Sequence, residues 1–442
     1  MRSLRVLALL ACSALFLSQP ARAASPANCS VGAYKLADGR LVDIAPSRKD
    51  TLRWRMFDGT SGALTKAADG RWTSTLGWTE RPDGVSVTFS DCAKGELRFA
   101  GVQGRRITFD VAQSTFAGRD VSLAGRLILP PGRDPVPIVV LVHGSEDDSA
   151  LDSNALQRLL PAAGVGAFVY DKRGTGASTG KYSQDFDLLA DDAVAAMREA
   201  RRLAGPRAGR IGYQGGSQGG WVVPIAASRA PVDFAIVSFG LAVSVIQEDQ
   251  QQVALEMKLK GHGAEDTAKA LEVADAAEAV FESGFKGGFE RFAALRAKYR
   301  GEPWYKDLHG NFTWLILPHT EAEIRAMAKD YDWGTPWRYD PMPTLRKATT
   351  PQLWILGEMD LEAPSAETSR LIRSLIAAGQ PITLALYPGA EHGMTEFETA
   401  PDGERLSTRF APDYFKMMRD FARDGRLRGA YGRSTITPPT RR

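Results

Sequence analysis

Continuous apolar runs that alternate with amphipathic helical segments are the feature that most constrains the fold of this chain. Short runs of this kind are typical of parallel strands that are buried on both faces of a sheet. Amphipathic patterns over Leu188–Leu203 and Ser365–Ala378 lie between some of the runs. The alternation predicts an α/β sheet with helices on both faces. The runs are Ile138–Val142, Gly166–Tyr170, Arg210–Tyr213, Phe234–Phe239, Leu353–Leu356 and Ile382–Tyr387.

A helical insertion interrupts this alternation between about residues 243 and 345. Ile246–Lys260 and Ala264–Glu282 follow helical periodicity, and no apolar run longer than Trp314–Leu317 suggests a strand. We therefore predict a helical cap at 243–345. Four of the nine tryptophans of the chain fall in it, and they either line an apolar pocket over the sheet or pack the cap against the core. They are Trp304, Trp314, Trp333 and Trp337.

The regions on either side of the predicted α/β domain, 107–424, have different compositions. Residues 24–106 contain short alternating segments and four Asp-Gly pairs, which together predict a small antiparallel β module joined by tight turns. We find no catalytic constellation in this module. Residues 425–442 carry five arginines and two prolines and are predicted to be a disordered basic tail.

The N-terminus has the pattern of a secretory signal peptide over residues 1–23. Two arginines precede an apolar run, Val6–Leu17, which is followed by small residues. This run is too short for a stable membrane span. Cleavage would remove three arginines and no acidic residue, so the net charge would fall from +3 to zero, and nothing suggests a nucleic-acid partner. We expect a periplasmic or secreted protein. A lipoprotein site at Cys12 is the less favoured alternative, because the apolar run continues beyond it.

Cleavage of such a signal peptide leaves Cys29 and Cys92 as the only two cysteines of the chain. Disulfides persist in exported proteins because the compartment is oxidising. We therefore predict a structural disulfide between Cys29 and Cys92. The alternative is that both are unpaired and act as small apolar side chains.

A serine surrounded by glycines, in the stretch GYQGGSQGGW at Gly212–Trp221, is the candidate nucleophile. The pattern predicts a strand up to Gln214 and a helix from Trp221, so Ser217 lies at a strand-to-helix turn in a Gly-x-Ser-x-Gly motif. This is the structural setting that the motif requires. The turn is so sharp that the serine adopts strained backbone angles and side chains two residues away would collide with neighbouring segments.

A serine hydroxyl becomes a strong nucleophile only when a base takes its proton and a carboxylate orients that base. Of the five histidines, His392 alone lies beyond residue 320, in a Gly-flanked loop after the last apolar run. Asp360 follows the run Leu353–Leu356 and is the carboxylate candidate, with Glu358 and Glu362 as neighbouring alternatives. All three predicted catalytic residues, Ser217, Asp360 and His392, therefore follow parallel strands, at the sheet edge where such proteins place their sites.

A developing oxyanion also needs hydrogen-bond donors. The turn His143-Gly144-Ser145 follows the first buried run, and we predict that the backbone amides of Ser145 and Gln218 bind the oxyanion. His143 is interpreted as a structural hydrogen-bonding residue rather than as a second base.

Five segments together resemble the α/β-hydrolase superfamily, most closely bacterial serine hydrolases near the dienelactone-hydrolase and prolyl-oligopeptidase catalytic domains. The likeness extends over about residues 107–424 and implies that Ser217 is the nucleophile, His392 the base and Asp360 its orienter. Residues 24–106 are too few for the propeller of large oligopeptidases. The segments are His143-Gly-Ser, Asp171–Ser178, Gly215–Gly220, Gly357–Asp360 and His392-Gly.

These observations predict an exported serine hydrolase that cleaves carboxylic esters through an acyl-enzyme intermediate, with no cofactor and no metal. An exported aminopeptidase or acylaminopeptidase with the same three residues is the alternative, so the expected partner is a small ester or a short peptide. A third hypothesis, from another class, is a catalytically silent protein whose β module binds an envelope ligand. Aminopeptidase activity would need a carboxylate pocket for the free N-terminus, for which Glu321, Glu323 and Asp330 are cap candidates.

Overall fold

The computed structural model describes residues 29–47, 50–90 and 94–440. The predicted signal peptide, the lipoprotein alternative at Cys12 and the cysteine at position 92 lie outside these residues, so the pairing of Cys29 with Cys92 stays a prediction.

The N-terminal module is a closed antiparallel barrel of eight strands. Asp-Gly turns join several of its strands, and in three of them, at Gly39, Gly59 and Gly70, the glycine has a positive φ, which only glycine adopts without cost. Inward-facing Trp54 and Phe99 pack edge to face in the interior. The antiparallel β module is therefore confirmed. Its strands are β1 Gly32–Leu36, β2 Leu41–Pro46, β3 Leu52–Met56, β4 Ser61–Lys66, β5 Trp72–Leu76, β6 Pro82–Phe89, β7 Glu96–Phe99 and β8 Val102–Arg106.

The second unit is built on a mixed nine-stranded sheet. Every apolar run identified in the sequence falls on one of its central strands, which confirms the predicted α/β fold. The strands in chain order are β9 Asp110–Ala117, β10 Ser122–Leu129, β11 Val136–Val142, β12 Gly166–Tyr170, β13 Ala208–Gly216, β14 Phe234–Ser238, β15 Gln352–Gly357 and β16 Ile382–Tyr387, with β19 Thr435–Thr437 at the far edge.

The order of the strands places the predicted site residues at one edge of the sheet. The spatial order is β19-β16-β15-β14-β13-β11-β12-β10-β9. The six strands from β16 to β12 are mutually parallel, whereas β10, β9 and β19 pair antiparallel at the ends. The loops after β11, β13, β15 and β16 therefore leave the sheet at the same side, because parallel strands share the direction of their carboxyl ends.

Helices cover both faces of this sheet, and each face has its own apolar core. The helices α3, α4 and α11 pack on one face, and α2 and α12 pack on the other. None of the helices in the described ranges has the length and hydropathy needed to cross a bilayer. The helices are α1 Ala150–Ser153, α2 Leu156–Ala162, α3 Phe186–Ala204, α4 Gly219–Arg229, α11 Ser365–Ala377 and α12 Tyr414–Asp424.

The predicted helical cap is confirmed as an insertion between β14 and β15, and it has an apolar core of its own. Trp304 is buried in that core, Trp337 packs against it, Trp314 is 47% exposed, and Trp333 faces the cavity described below. Two of the four tryptophans therefore pack the cap and one lines the cavity, whereas Trp314 takes neither expected role. The cap helices are α5 Val245–Leu259, α6 Ala264–Glu282, α7 Phe289–Tyr299, α8 Thr313–Ile316, α9 Glu321–Met327 and α10 Met342–Arg346.

The C-terminal segment differs from its prediction as a disordered tail. As far as residue 440, the last described, it packs on the sheet: β19 pairs with β16, and Tyr431 is only 2% exposed. The physical reason is that Tyr431 and Ile436 supply apolar contacts to the core, which a count of arginines and prolines overlooks. A hairpin of β17 Thr395–Thr399 and β18 Arg405–Phe410 precedes α12 and touches the barrel. Phe410 N–H donates a 2.8 Å hydrogen bond to Gly59 O, and Trp78 N–H donates a 2.7 Å hydrogen bond to Ser407 O.

The predicted disulfide can be tested through its effect on the stability of the folded protein. A bridge between Cys29 and Cys92 would stabilise the folded protein by about 4 kcal/mol, because it restricts a long loop of the unfolded chain. We expect that reduction, or the Cys29→Ser/Cys92→Ser double variant, lowers the free energy of unfolding in a urea titration by roughly this amount. Reduction should leave the double variant unchanged. Two free thiols in the oxidised wild-type protein would contradict the prediction.

Candidate active site

Ser217 occupies a strained turn between β13 and α4. Its φ is +51°, a left-handed conformation that a non-glycine residue adopts only where its surroundings enforce it. The strand ends at Gly216 and the helix begins at Gly219. Ser217 N–H donates to Ser238 O at 3.1 Å, which ties the turn to the neighbouring strand.

The glycines two residues before and after Ser217 are required by close packing. A Cβ added to Gly215 would lie 2.7 Å from Gly219 O, and a Cβ added to Gly219 would lie 3.1 Å from Val142 O. The first distance is a steric clash and the second is a tight contact. The structure therefore gives the motif the physical reason that the sequence predicted: no side chain fits where the strand turns back into the helix.

His392 and Asp360 form a hydrogen-bonded pair on the loops after β16 and β15. Nδ1 of His392 lies 3.0 Å from Asp360 Oδ2. Asp360 is 1% exposed, and its Oδ1 also accepts the Ala363 amide at 2.8 Å, so the carboxylate is held in place. Gly357 allows the two loops to approach, because a Cβ there would lie 2.3 Å from Ala390 O.

Glu362 lies at the other nitrogen of the same imidazole. Its Oε1 is 3.6 Å from His392 Nε2, whereas Asp360 holds Nδ1. From the sequence Glu362 was expected only as a substitute for Asp360, whereas in the structure the two carboxylates lie at opposite nitrogens of the imidazole ring. Glu358 is exposed and takes neither position.

These carboxylates set the protonation of His392. Burial lowers the pKa of the imidazole, but the negative charges of Asp360, Glu362 and Glu248 and the hydrogen bond that His392 donates to Asp360 outweigh it and raise the pKa to about 9. The resting imidazole is therefore protonated at neutral pH. It can accept the serine proton only in the fraction of molecules that have lost this charge.

Phe239 connects the two halves of the site. Its ring lies edge-on to the His392 imidazole, with the centroids 4.9 Å apart, and a Cβ on Gly216 would lie 2.5 Å from Phe239 Cζ. Ser217 and His392 are both among the described residues, and the structure contains no hydrogen bond between the Ser217 hydroxyl and the His392 imidazole. Catalytic hydrogen bonds often shorten only when a substrate binds.

The predicted oxyanion donors face the same cavity as Ser217. Ser145 follows β11, Gln218 is the first residue after the serine, and both line this cavity. Within the described ranges neither backbone amide donates a hydrogen bond to the protein. His143 is buried, and burial lowers its pKa. Its Nε2 lies 3.8 Å from Asp148 Oδ1, and no hydrogen bond joins it to Ser217 within the described residues.

The cavity has a volume of about 570 Å³ and lies between the sheet edge and the cap. Its walls combine aromatic rings with four carboxylates, and no lysine or arginine lines it within the described residues. Glu248, on the first turns of α5, is 7% exposed, and burial raises its pKa. The principal lining residues are Ser145, Asp147, Tyr182, Gln184, Phe186, Ser217, Gln218, Trp221, Glu248, Asn311, Phe312, Asp330, Trp333 and Glu362.

The acidic cavity wall was not predicted from the sequence. Of the cap carboxylates considered there, Asp330 lines the cavity, whereas Glu321 and Glu323 pair with Arg325 and Thr320 on α9. Glu248 carried no sequence signal, because it is one of several polar residues on a helix. The capping box of Ser244 and Gln247 fixes where α5 begins, and that start is what turns position 248 toward the cavity.

A mostly parallel sheet of this order, with a serine at a strained strand-to-helix turn, defines the α/β-hydrolase class. Two family models agree: "Serine aminopeptidase, S33" matches residues 133–282, and "Prolyl oligopeptidase family" matches residues 311–418. The chain therefore has the α/β-hydrolase fold, and the two matches support a serine hydrolase. No curated protein matches it significantly.

Solved structures with a similar fold include proteins of different activity. A hypothetical protein of Pseudomonas aeruginosa is 20% identical, with 71% of this chain and 93% of that chain covered and a TM-score of 0.40. An esterase of Pyrococcus furiosus is 16% identical, with coverages of 64% and 84% and a TM-score of 0.41. An acylaminoacyl peptidase of Pyrococcus horikoshii is 14% identical (TM-score 0.38); 79% of this chain is covered but only 52% of that one.

The charge environment of His392 predicts an unusual pH profile. Because the imidazole pKa is raised to about 9 and the neutral form is the base, hydrolysis should increase with pH until it levels off above about 9. Glu362→Gln removes one of the charges that raise this pKa, so its profile should level off at lower pH and its activity at pH 7 should increase. The measurement is kcat/KM against pH for an activated ester.

Glu358→Gln is the matched control for this prediction, since it removes a carboxylate from the same loop without a contact to His392. Its profile should follow that of the wild type. An identical pH profile for Glu362→Gln and Glu358→Gln would show that Glu362 does not influence the imidazole.

Proposed function

We propose that the chain is an exported serine hydrolase that cleaves carboxylic esters through an acyl-enzyme intermediate. Ser217 is the nucleophile, His392 the general base and Asp360 the residue that orients it. The observation that carries the proposal is the position of Ser217, in a strained turn that lines the cavity. Among the described residues the two backbone amides at this cavity have no protein acceptor, and a buried carboxylate holds His392 on a loop at the same edge of the sheet. This is the arrangement that acyl transfer requires.

The proposed reaction follows from these positions. Ser217 Oγ attacks the ester carbonyl while His392 Nε2 takes its proton, and the oxyanion that forms accepts hydrogen bonds from the Ser145 and Gln218 amides. The imidazolium then returns the proton to the departing alcohol. A water molecule, deprotonated by the same imidazole, attacks the acyl-enzyme and releases the acid. Asp360 stays ionised throughout and keeps Nδ1 protonated.

Amide hydrolysis at a free N-terminus is the second candidate, and the acidic cavity wall favours it. Glu248, Glu362, Asp147 and Asp330 line the cavity that holds Ser217. A cavity wall with more carboxylates than cations attracts a substrate ammonium group, and the aromatic rings beside the carboxylates add cation–π attraction. We rank ester cleavage first because an alcohol leaves more readily than an amine, which must be protonated as it departs.

We also propose that the protein acts in the periplasm or outside the cell. The support is the charged, apolar and small-residue pattern of residues 1–23 together with the remaining cysteine pair. The intact mass of the exported protein tests this: a chain that begins near residue 24 supports export, and a full-length chain that stays in the cytoplasm contradicts it.

The first test is covalent labelling of the nucleophile. A fluorophosphonate probe should label the wild-type protein, and Ser217→Ala should abolish labelling and lower ester turnover by at least about 10⁴-fold. Ser228→Ala is a matched control on α4, because its hydroxyl only bonds its own helix at Ile225 O, and it should label normally. Equal labelling of Ser217→Ala and wild type would exclude this serine, and a wild-type protein that never labels would support a silent binding protein.

The second test separates the two substrate classes. Short and long p-nitrophenyl esters should be cleaved faster than aminoacyl p-nitroanilides. Glu248→Gln should raise KM for substrates with a free α-amine and leave KM unchanged for their N-acetylated counterparts, because it removes a carboxylate from the cavity wall. Anilide turnover comparable to ester turnover would reverse our ranking, and equal KM changes for free and acetylated substrates would exclude amine recognition by Glu248.

A further inference from the structure

Lys172 is a buried lysine beside the proposed oxyanion-binding loop. It follows β12 in the Asp171–Ser178 turn, is 2% exposed, and its Nζ donates a 2.7 Å hydrogen bond to Gly144 O. The turn is rigid, because the Asp171 carboxylate accepts hydrogen bonds from Ser149, Leu151 and Ala177. A lysine is among the residues least often buried without a partner, so this contact calls for an explanation.

The acceptor of this hydrogen bond belongs to the peptide group that carries the Ser145 amide. In a planar trans peptide the carbonyl of Gly144 and the N–H of Ser145 point in opposite directions. A donor that fixes the direction of Gly144 O therefore directs Ser145 N–H the opposite way within the same plane. That amide donates no hydrogen bond to the described protein, and Ser145 lines the cavity of Ser217.

Tyr182 holds the next peptide group in the same way. Its hydroxyl donates to Ser145 O and accepts a 2.9 Å hydrogen bond from Gln184 Nε2. Lys172 Nζ lies 4.5 Å from the centroid of the Tyr182 ring, so the two side chains also contact each other. Both carbonyls that flank the Ser145 amide are thus fixed by donors from one loop.

We propose that Lys172 and Tyr182 are positioning residues that direct the Ser145 amide toward the oxyanion. This inference rests on the proposed function, since it assigns a role to residues that do not themselves react. An oxyanion donor is effective only if it is oriented before charge develops. The loop after β11 contains one glycine and three acidic residues. Without these two contacts it has few other hydrogen bonds among the described residues that would fix the orientation of this peptide.

The chemistry of the ammonium group suits this position. It has three donors and no acceptor, so it can hold a carbonyl and face an aromatic ring together. Burial lowers the pKa of Lys172 to about 8, against the opposite influence of Glu146, Asp147 and Asp148. The group therefore still carries its charge at neutral pH. Its charge also offsets the negative loop 146–148 close to the site where the oxyanion forms.

Two variants test the proposal. Lys172→Met keeps the length of the side chain without a donor, and Tyr182→Phe keeps the ring without the hydroxyl. We expect kcat/KM for a p-nitrophenyl ester to fall by about 10- to 100-fold in each, mainly through kcat, because full loss of one oxyanion donor costs about 10²–10³-fold. The inhibition constant of butylboronic acid, which forms a tetrahedral anion on the serine, should rise by the same factor.

The boronate measurement distinguishes positioning from a merely structural role, because a general loss of folded protein lowers the active fraction without changing an inhibition constant. Lys181→Met is the matched control: Lys181 is an exposed lysine on the same loop, and its kinetics should match the wild type. If Lys172→Met does not fold, Tyr182→Phe alone decides the matter.

The inference fails if the folded variants keep wild-type kcat and boronate affinity while Ser217→Ala is inactive. That outcome would leave the proposed function intact. A wild-type protein that neither labels with fluorophosphonate nor hydrolyses esters would instead overturn the proposed function, and the inference with it.

Discussion

The strained backbone of Ser217 is the constraint on which the rest of the site depends. A φ of +51° in a serine is unfavourable by about 1–3 kcal/mol, and the fold supplies this through the packing of β13, α4 and β11 around glycines that allow no side chain. The turn lifts the hydroxyl out of the sheet edge and places the following amide, that of Gln218, beside it. A relaxed turn would lose both the position of the proposed nucleophile and one proposed oxyanion donor.

Carboxylates outnumber cationic side chains around this turn, and this excess of negative charge affects the protonation of His392. Three carboxylates raise the pKa of His392, and a further two line the cavity that the substrate must enter. An imidazole whose pKa is raised this far is mostly protonated at neutral pH and therefore cannot accept a proton. A bound cationic group would lower the pKa of His392 again, because it would partly neutralise Glu362 and Glu248. The same acidic wall would therefore select a substrate and prepare the base.

Sequence patterns predicted the central sheet, because buried parallel strands leave continuous apolar runs. They also singled out Ser217, His392 and Asp360 as candidate catalytic residues, because strained turns require glycine and loops after parallel strands carry sites. Other features left no such signal. The two antiparallel strands before β11 and the hairpin after His392 lack continuous apolar runs, and the C-terminal strand is hidden among arginines. Glu248 and Lys172 acquire their proposed roles only through contacts with segments distant in the chain. The local hydrophobic periodicity of a sequence does not reveal such contacts.

The central claim is that one cavity holds a serine nucleophile, its base and both oxyanion donors. A crystal structure of the protein after reaction with a small fluorophosphonate tests this most directly. The account predicts phosphorus bonded to Ser217 Oγ, and one phosphonyl oxygen within about 3 Å of the Ser145 and Gln218 amides, with His392 Nε2 within hydrogen-bonding distance of Oγ. An adduct on another residue, or a phosphonyl oxygen that points into solvent away from both amides, would contradict it.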